Sequence, residues 1–334
     1  MKKITVFFVF VSIGICFLCI PLYADPVAGK SKNNRDALLQ STYTLTMNAQ
    51  FGMLWGQAEE QVFYNSDSDR LTSQLLWDVK PLWYTGMNLE FSRKDPAAGP
   101  GIFSALSVKF GIPGNSGVME DRDWLTPGGD LTNYSLHNNL SNGTMFLDLL
   151  TGLSAPLGQS LVFRFLLGPS YMHLAWTAYD GYYRYSENSS IPLEDSVPPV
   201  PLSGAMISYS QDWFLLICNF SVQLFPNRLF SGILFCNAGP VIRFVAKDDH
   251  HEKKSGYYDE ISGGYTLEPG GEFRFSPMKN FSLVLHFSWR SVIAASHGSS
   301  FSRSAGTGDW IFTGNISGGR FQTMDMGIGL EIRL

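Results

Sequence analysis

Met324-Asp-Met-Gly-Ile-Gly-Leu-Glu-Ile-Arg-Leu334 alternates without a break between apolar residues and residues that are polar or glycine. A period of two is that of an extended strand with one greasy and one polar face. The same alternation recurs in 102–112, where Phe103, Ala105, Leu106, Val108 and Phe110 mark the apolar positions. Working back through the sequence, runs rich in β-formers fall at 43–64, 71–91, 143–153, 161–176, 207–225, 229–245, 257–275 and 281–294. The run 43–64 is too long for a strand of an ordinary soluble domain. With 320–334 the count is about ten, and short connections alternate with long polar ones, the mark of an outer-membrane barrel. The expected fold class is therefore all-β, a ten-stranded antiparallel transmembrane β-barrel with long extracellular loops. A secreted β-sandwich, the competing architecture, needs shorter strands.

Composition agrees. Of the 334 residues, 14% are aromatic, only 16% are charged and 33 are glycine. A formal net charge of −5 argues against a nucleic-acid partner, which needs a basic surface. No internal apolar run approaches the roughly 18 residues of a membrane helix. The first residues, Met1-Lys2-Lys3 followed by an apolar run to Leu22 and then Tyr23-Ala24-Asp25, have the form of a secretory signal. Cleavage is expected after Ala24, which leaves 25–334 as a single barrel domain. Cys218 and Cys236 fall in neighbouring apolar runs. Two packed thiols are expected there rather than a disulfide.

Two polar segments carry the chemistry. In Gly117-Val-Met-Glu-Asp-Arg-Asp-Trp124, Asp121 and Asp123 stand two apart, so an extended backbone turns both carboxylates to one side. Two like charges so close resist joint ionisation and raise one another's proton affinity. The second segment is Lys247-Asp-Asp-His-His-Glu252. An aspartate and a histidine two apart on a strand also share a face, and the carboxylate then orients the imidazole and raises its basicity. With the N-terminus placed inside, odd-numbered strands run outward. Asp121/Asp123 follow the third strand and Asp248/His250 end the seventh, so topology alone brings both clusters to one extracellular rim. A water activated between an Asp–His pair and an Asp pair is a plausible nucleophile for peptide hydrolysis with no metal or cofactor. A metal site built from the same residues is the competing chemistry, without a His-x-x-x-His framework behind it.

On these residues the chain resembles the omptins, outer-membrane aspartyl-type endopeptidases with a ten-stranded barrel. Met119-Glu-Asp-Arg-Asp-Trp124 is similar to the family's Met-x-Asp-x-Asp-Trp motif, and Asp248-Asp249-His250-His251 to its Asp-x-His-aromatic motif. Gly56-Gln-Ala-Glu-Glu-Gln-Val-Phe63, Ser73-Gln-Leu-Leu-Trp77 and Tyr209-Ser-Gln211 match in order. The resemblance implies Asp121 and Asp123 as the water-binding pair and Asp248 with His250 as the dyad. An alternative register pairs Asp249 with His251. It further implies Glu60 as an acid receiving a basic P1 side chain, with Met119 beside it. The implied partners are polypeptide substrates and outer-membrane lipid, lipopolysaccharide included, with the barrel as a monomer.

Two departures bear on specificity. The family's second P1 acid, two residues before the Asp-x-His pair, is Ala246 here, or Lys247 in the other register. Relaxed cleavage after Arg or Lys is the consequence expected, the more so where Lys247 points into the pocket. The segment that bears lipopolysaccharide-binding Glu and Arg in relatives reads Tyr171-Met-His173. The remaining histidines, His137, His173, His286 and His297, are expected to be ordinary rim or wall residues. Trp55, Trp77, Trp83, Trp176, Trp213 and Trp289 are expected in the girdles at the membrane interfaces. A non-catalytic barrel, serving as adhesin or structural protein with an acidic rim, is the alternative to an endopeptidase. A porin is weaker, since the lumen of so small a barrel is filled by side chains.

Overall fold

The computed structural model describes residues 43–93, 99–158, 160–225, 229–304 and 308–334. The expected signal segment lies outside the described residues. Thirteen strand segments, β1 (Tyr43–Asn65), β2 (Ser68–Arg93), β3 (Gly101–Gly111), β4 (Gly114–Asp123), β5 (Asn133–Pro156), β6 (Leu161–Tyr185), β7 (Val200–Leu224), β8 (Phe230–His250), β9 (Ser255–Ile261), β10 (Gly264–Met278), β11 (Phe281–Ala294), β12 (Gly298–Arg303) and β13 (Ile311–Arg333), form one antiparallel sheet. A ring of ten runs β1-β2-β3-β5-β6-β7-β8-β10-β11-β13, and β13 pairs back onto β1. At the seam Leu334 donates its N–H to the Leu45 carbonyl at 2.8 Å, and Thr44 Oγ1 donates to the Leu334 carbonyl at 2.7 Å. Among the described residues, closure leaves no exposed sheet edge.

The three extra segments are upward continuations of ring strands. β4 prolongs β3 between β2 and β5, β9 prolongs β10 along β8, and β12 prolongs β11 along β13. The break between β3 and β4 falls at Pro113, which has no N–H to give to a ladder. Beyond it Gly117 sits at φ +111°, where an added Cβ would strike the Asp78 side chain at 2.6 Å. Asp78 Oδ2 uses that space to accept the Val118 N–H at 3.2 Å.

Strand lengths exceed what the sequence predicts. A polar loop is expected over 113–140, yet Asp121 and Asp123 lie on β4 and β5 already begins at Asn133. β6 reaches Tyr185, β7 starts at Val200, and β13 starts at Ile311. These ends are polar, so hydropathy hides them, while ladder pairing to neighbours holds them extended. The 25 residues of β6 measure roughly 80 Å at ~3.3 Å each, far beyond a hydrocarbon core of ~30 Å even at strong tilt.

The outward face shows where the membrane part ends. On β1 it reads Leu45, Met47, Ala49, Phe51, Met53 and Trp55, then turns to Gln57 and Glu59. On β13 it reads Ile332, Leu330, Ile328, Met326 and Met324, then Gln322 and Arg320. Trp55 and Met324 are register partners, so the apolar band stops at one level on both strands. Cys218 and Cys236 are free thiols. Below that level the lumen is filled by ion pairs such as Arg290–Glu268 at 2.8 Å. Above it the same strands continue as a polar-walled extension.

Tryptophan placement corrects one expectation. Trp55, Trp83 and Trp289 are exposed on the outer face, but Trp77, Trp176 and Trp213 are fully buried inside the barrel. Strand parity decides this, because Trp77 and Trp176 occupy inward positions of strands whose upper halves enclose a second core. Trp77 stacks on Tyr209 at 5.0 Å between centroids and 12° between planes, and Trp176 stacks on Tyr209 at 6.0 Å. Indoles in that stack cannot anchor an interface.

Candidate active site

The aromatic stack is the floor of a groove in the upper barrel, and acids stand on it. Across β1, β2 and β4 the register places Glu60 opposite Leu75 and Leu75 opposite Asp121. One step lower, Ala58, Trp77 and Met119 align in the same way, all wholly buried. Met119 thus packs beneath the acids, on Trp77. Asp123 is one step higher than Asp121, opposite Ser73, and its Oδ2 accepts from Asn133 Nδ2 at 2.9 Å. Phe244 of β8 lays its ring over Gly319, the register partner of Glu60, where any Cβ would meet the ring at 2.5 Å.

A buried relay fixes Glu60. Trp213 Nε1 donates to Gln211 Oε1 at 3.1 Å, Gln211 Nε2 donates to Tyr209 Oη at 2.8 Å, and Tyr209 hydrogen-bonds Glu60. Gln211 Nε2 also reaches the Glu59 carbonyl at 3.2 Å, tying β7 to β1 across the lumen. Glu60 is 4% exposed and its Oε2 has no partner. Burial first, and then the charges of Asp248, Asp259 and Asp121, hold its carboxyl well above the usual carboxylate range.

Of the two possible registers in β8, Asp248 and His250 face the groove. Asp248 is buried, and its Oδ2 meets His250 Nε2 at 2.8 Å. Asp249 points the other way and accepts from Arg303 Nη2 at 2.6 Å, while His251, in the turn, meets Ser208 Oγ at 2.8 Å. Lys247 is on the outward face and exposed, so it does not enter the groove. Burial lowers the His250 pKa, but the hydrogen bond and charge of Asp248 outweigh it and the net shift is upward. Asp121 is pushed up to about 7, chiefly by burial and then by Asp123, with His250 and Lys253 pulling the other way. Its Oδ1 is sealed from solvent without a partner. The two clusters therefore face one space and sense each other electrostatically.

Two further groups line this space and escape a motif search. Tyr257 of β9 sets its ring edge-on to His250 at 5.4 Å. Asp259, two residues on and so on the same face, is 3% exposed and lies opposite Ala246. Register is the signal that finds Asp259: a turn over 251–254 pairs His250 with Ser255, and counting back gives Ala246 with Asp259. The other histidines sit elsewhere. His137 is buried below the β4 acids, bonded to the Asp180 carbonyl at 2.7 Å and Ser135 Oγ at 2.9 Å. His286 lies in the lower lumen against Tyr84 at 2.6 Å, and His297 is on the rim near Asp69 at 3.4 Å. His173 and Tyr171 both bond Asp212, at 2.8 and 2.6 Å, on the outer wall. Among the described residues no group of three or more His, Cys, Asp or Glu side chains is arranged to hold a metal ion.

The sequence model of the omptin family matches residues 41–334. Compared with the curated proteins, the sequence finds no match. Among solved structures the fold is similar to that of the outer membrane protease OmpT from Escherichia coli, with a TM-score of 0.76, 16% identity, and coverage of 87% of this chain and 97% of that one. The Pseudomonas putida toluene transporter TodX also matches, at a TM-score of 0.30 and 9% identity over 86% of this chain and 89% of that one. A score that low supports no argument.

Proposed function

The chain belongs to the omptin family, and from that membership and the groove we propose that it is an outer-membrane endopeptidase working at the extracellular rim. The observation that carries the reading is the inward-facing Asp248–His250 pair, bonded at 2.8 Å, facing the Asp121/Asp123 pair across a groove floored by buried aromatics. Asp121 and Asp123 hold a water molecule. The His250 nitrogen not bonded to Asp248 takes one of its protons as the oxygen attacks the scissile carbonyl carbon. Asp248 steadies the imidazolium that forms. The tetrahedral intermediate then collapses, the C–N bond breaks, and the proton passes from His250 to the leaving amine. Glu60, held by Tyr209, receives a basic side chain of the substrate, and Met119 supports the pocket from below.

Strand length supports the extracellular placement. The site stands on the extensions above the apolar band, at the end bearing the longer connections 124–132 and 186–199, where a large polypeptide can reach it. The test is digestion of a peptide library by the refolded barrel, alongside Asp121→Asn, Asp123→Asn and His250→Ala. Cleavage by the wild type and loss in each folded variant supports the proposal. Binding of polypeptide without hydrolysis supports the adhesin alternative.

A further inference from the structure

Position 246 on β8 bears alanine and brings no carboxylate to the groove. Directly opposite, on β9, stands Asp259, with the same inward parity as Tyr257 and Ile261. Residues paired across an antiparallel ladder set their Cβ atoms roughly 5 Å apart on one face. A carboxylate thus reaches this level of the groove from β9 and not from β8. It is 3% exposed, accepts a hydrogen bond from Ser300, and leaves Oδ1 buried without a partner. Glu60, 4% exposed, leaves Oε2 in the same condition. The charge of Asp259 is one of those that raise the Glu60 carboxyl, and Asp259 is itself pushed up to about 7, by burial first and also by Asp248.

Buried polar oxygens are almost always satisfied in folded proteins, so two unpartnered ones facing one space call for a ligand group that donates. The cations of the neighbourhood do not serve. Arg243 pairs with Glu260 at 2.8 Å, Arg303 pairs with Asp249 at 2.6 Å, and Lys247 is exposed on the opposite face. We propose that Asp259 is a specificity-determining residue: with Glu60 it forms a two-carboxylate receptacle for one cationic side chain, arginine or lysine, of the polypeptide substrate. This rests on the reading of the chain as an endopeptidase, and it replaces the relaxed preference that Ala246 alone suggests with a retained basic one. A guanidinium offers donors to both carboxylates at once, whereas a neutral isostere leaves both charges unmatched.

Peptides identical except for arginine or its neutral isostere citrulline before the scissile bond test this directly. The wild type is expected to prefer arginine strongly. Asp259→Asn is expected to lower the arginine-to-citrulline ratio of kcat/KM by roughly ten- to a hundredfold, through KM for the arginine peptide. Glu60→Gln should do the same, and Asp259→Glu should restore most of the preference. An unchanged ratio in Asp259→Asn overturns the inference, as does an equal fall on both peptides, the mark of a structural role. Folding is checked by resistance to detergent unfolding on gels, and Asp259→Ser is measured the same way where the asparagine variant does not fold. If the wild type cleaves neither peptide, the endopeptidase reading fails separately. Calorimetric titration with an uncleavable reduced-bond arginine peptide then decides the receptacle. Weaker binding by at least tenfold in Asp259→Asn, with no such change for citrulline, upholds it, and equal binding refutes it.

Discussion

Two levels of one lumen treat buried carboxylates in opposite ways. In the lower half, Asp325 is paired with Lys109, Glu268 and Asp148 share Arg290, and Arg274 gathers Glu90, Glu272 and Glu331 within 3.3 Å. In the groove above, none of Glu60, Asp121, Asp248 and Asp259 lies within ion-pair distance of a lysine or arginine among the described residues, and each keeps one buried oxygen without a partner. Burial costs a carboxylate hydration in both places, and pairing with lysine or arginine offsets that cost only below. The lower half is a finished interior that braces the wall. The upper half offers its acids no lysine or arginine, and on the proposed function that leaves negative charge for a substrate cation and proton affinity for a water.

The sharpest way to break this contrast is to remove the reactive groups. Asp248→Asn or His250→Ala should lower kcat by about a thousandfold or more while the barrel still folds, since on the proposed mechanism these groups serve chemistry and not bracing. Turnover near the wild-type level in either variant would make the groove merely acidic. Next comes the lower half. Arg274→Met leaves three carboxylates facing one another and should destabilise the barrel by about 3–5 kcal/mol in urea unfolding. Glu60→Gln should not destabilise it at all. Its folded-state pKa lies above the unfolded value, so ionisation weakens the fold as pH rises above the unfolded pKa, and the glutamine removes that penalty.

A smaller effect is expected from pH. The proposed mechanism needs neutral His250 and ionised Asp121. Both pKa values are raised, that of Asp121 to about 7, so kcat/KM should climb as pH rises through about 7 and fall away below it. An optimum near pH 5 would contradict the assignment. The smallest effects are expected outside the groove. His251→Ala and Asp249→Asn should change turnover less than tenfold, since His251 bonds Ser208 and Asp249 bonds Arg303. Chelators should leave turnover unchanged, and strong inhibition would move the site to metal chemistry.

How far the sequence discloses these features depends on the kind of signal. The membrane halves of the strands are legible because lipid demands an apolar outer face, and alternation such as Met324 to Ile332 records it. The upper halves lack that demand. Asn133 to Leu140 and Ile311 to Gly319 therefore read as loops, although ladder bonds keep them extended. Asp121, Asp123, Asp248 and His250 stand out as i, i+2 pairs on single strands. Asp259 does not, because its significance is a cross-strand relation to Ala246 that appears only once the register of the turn at 251–254 is fixed. Trp77 and Trp176 mislead for a related reason: indoles suit both an interface and a buried stack, and inward parity in a second core chooses the latter.

The central claim is that the β4 acids and the β8 dyad act on one water. A double-mutant cycle of kcat between Asp121→Asn and His250→Ala tests it most directly. Groups that serve one step are grossly non-additive, so each single variant should lose about a thousandfold and the double variant hardly more. Losses that multiply in full, or a double variant that cleaves the arginine peptide like the wild type, would contradict it.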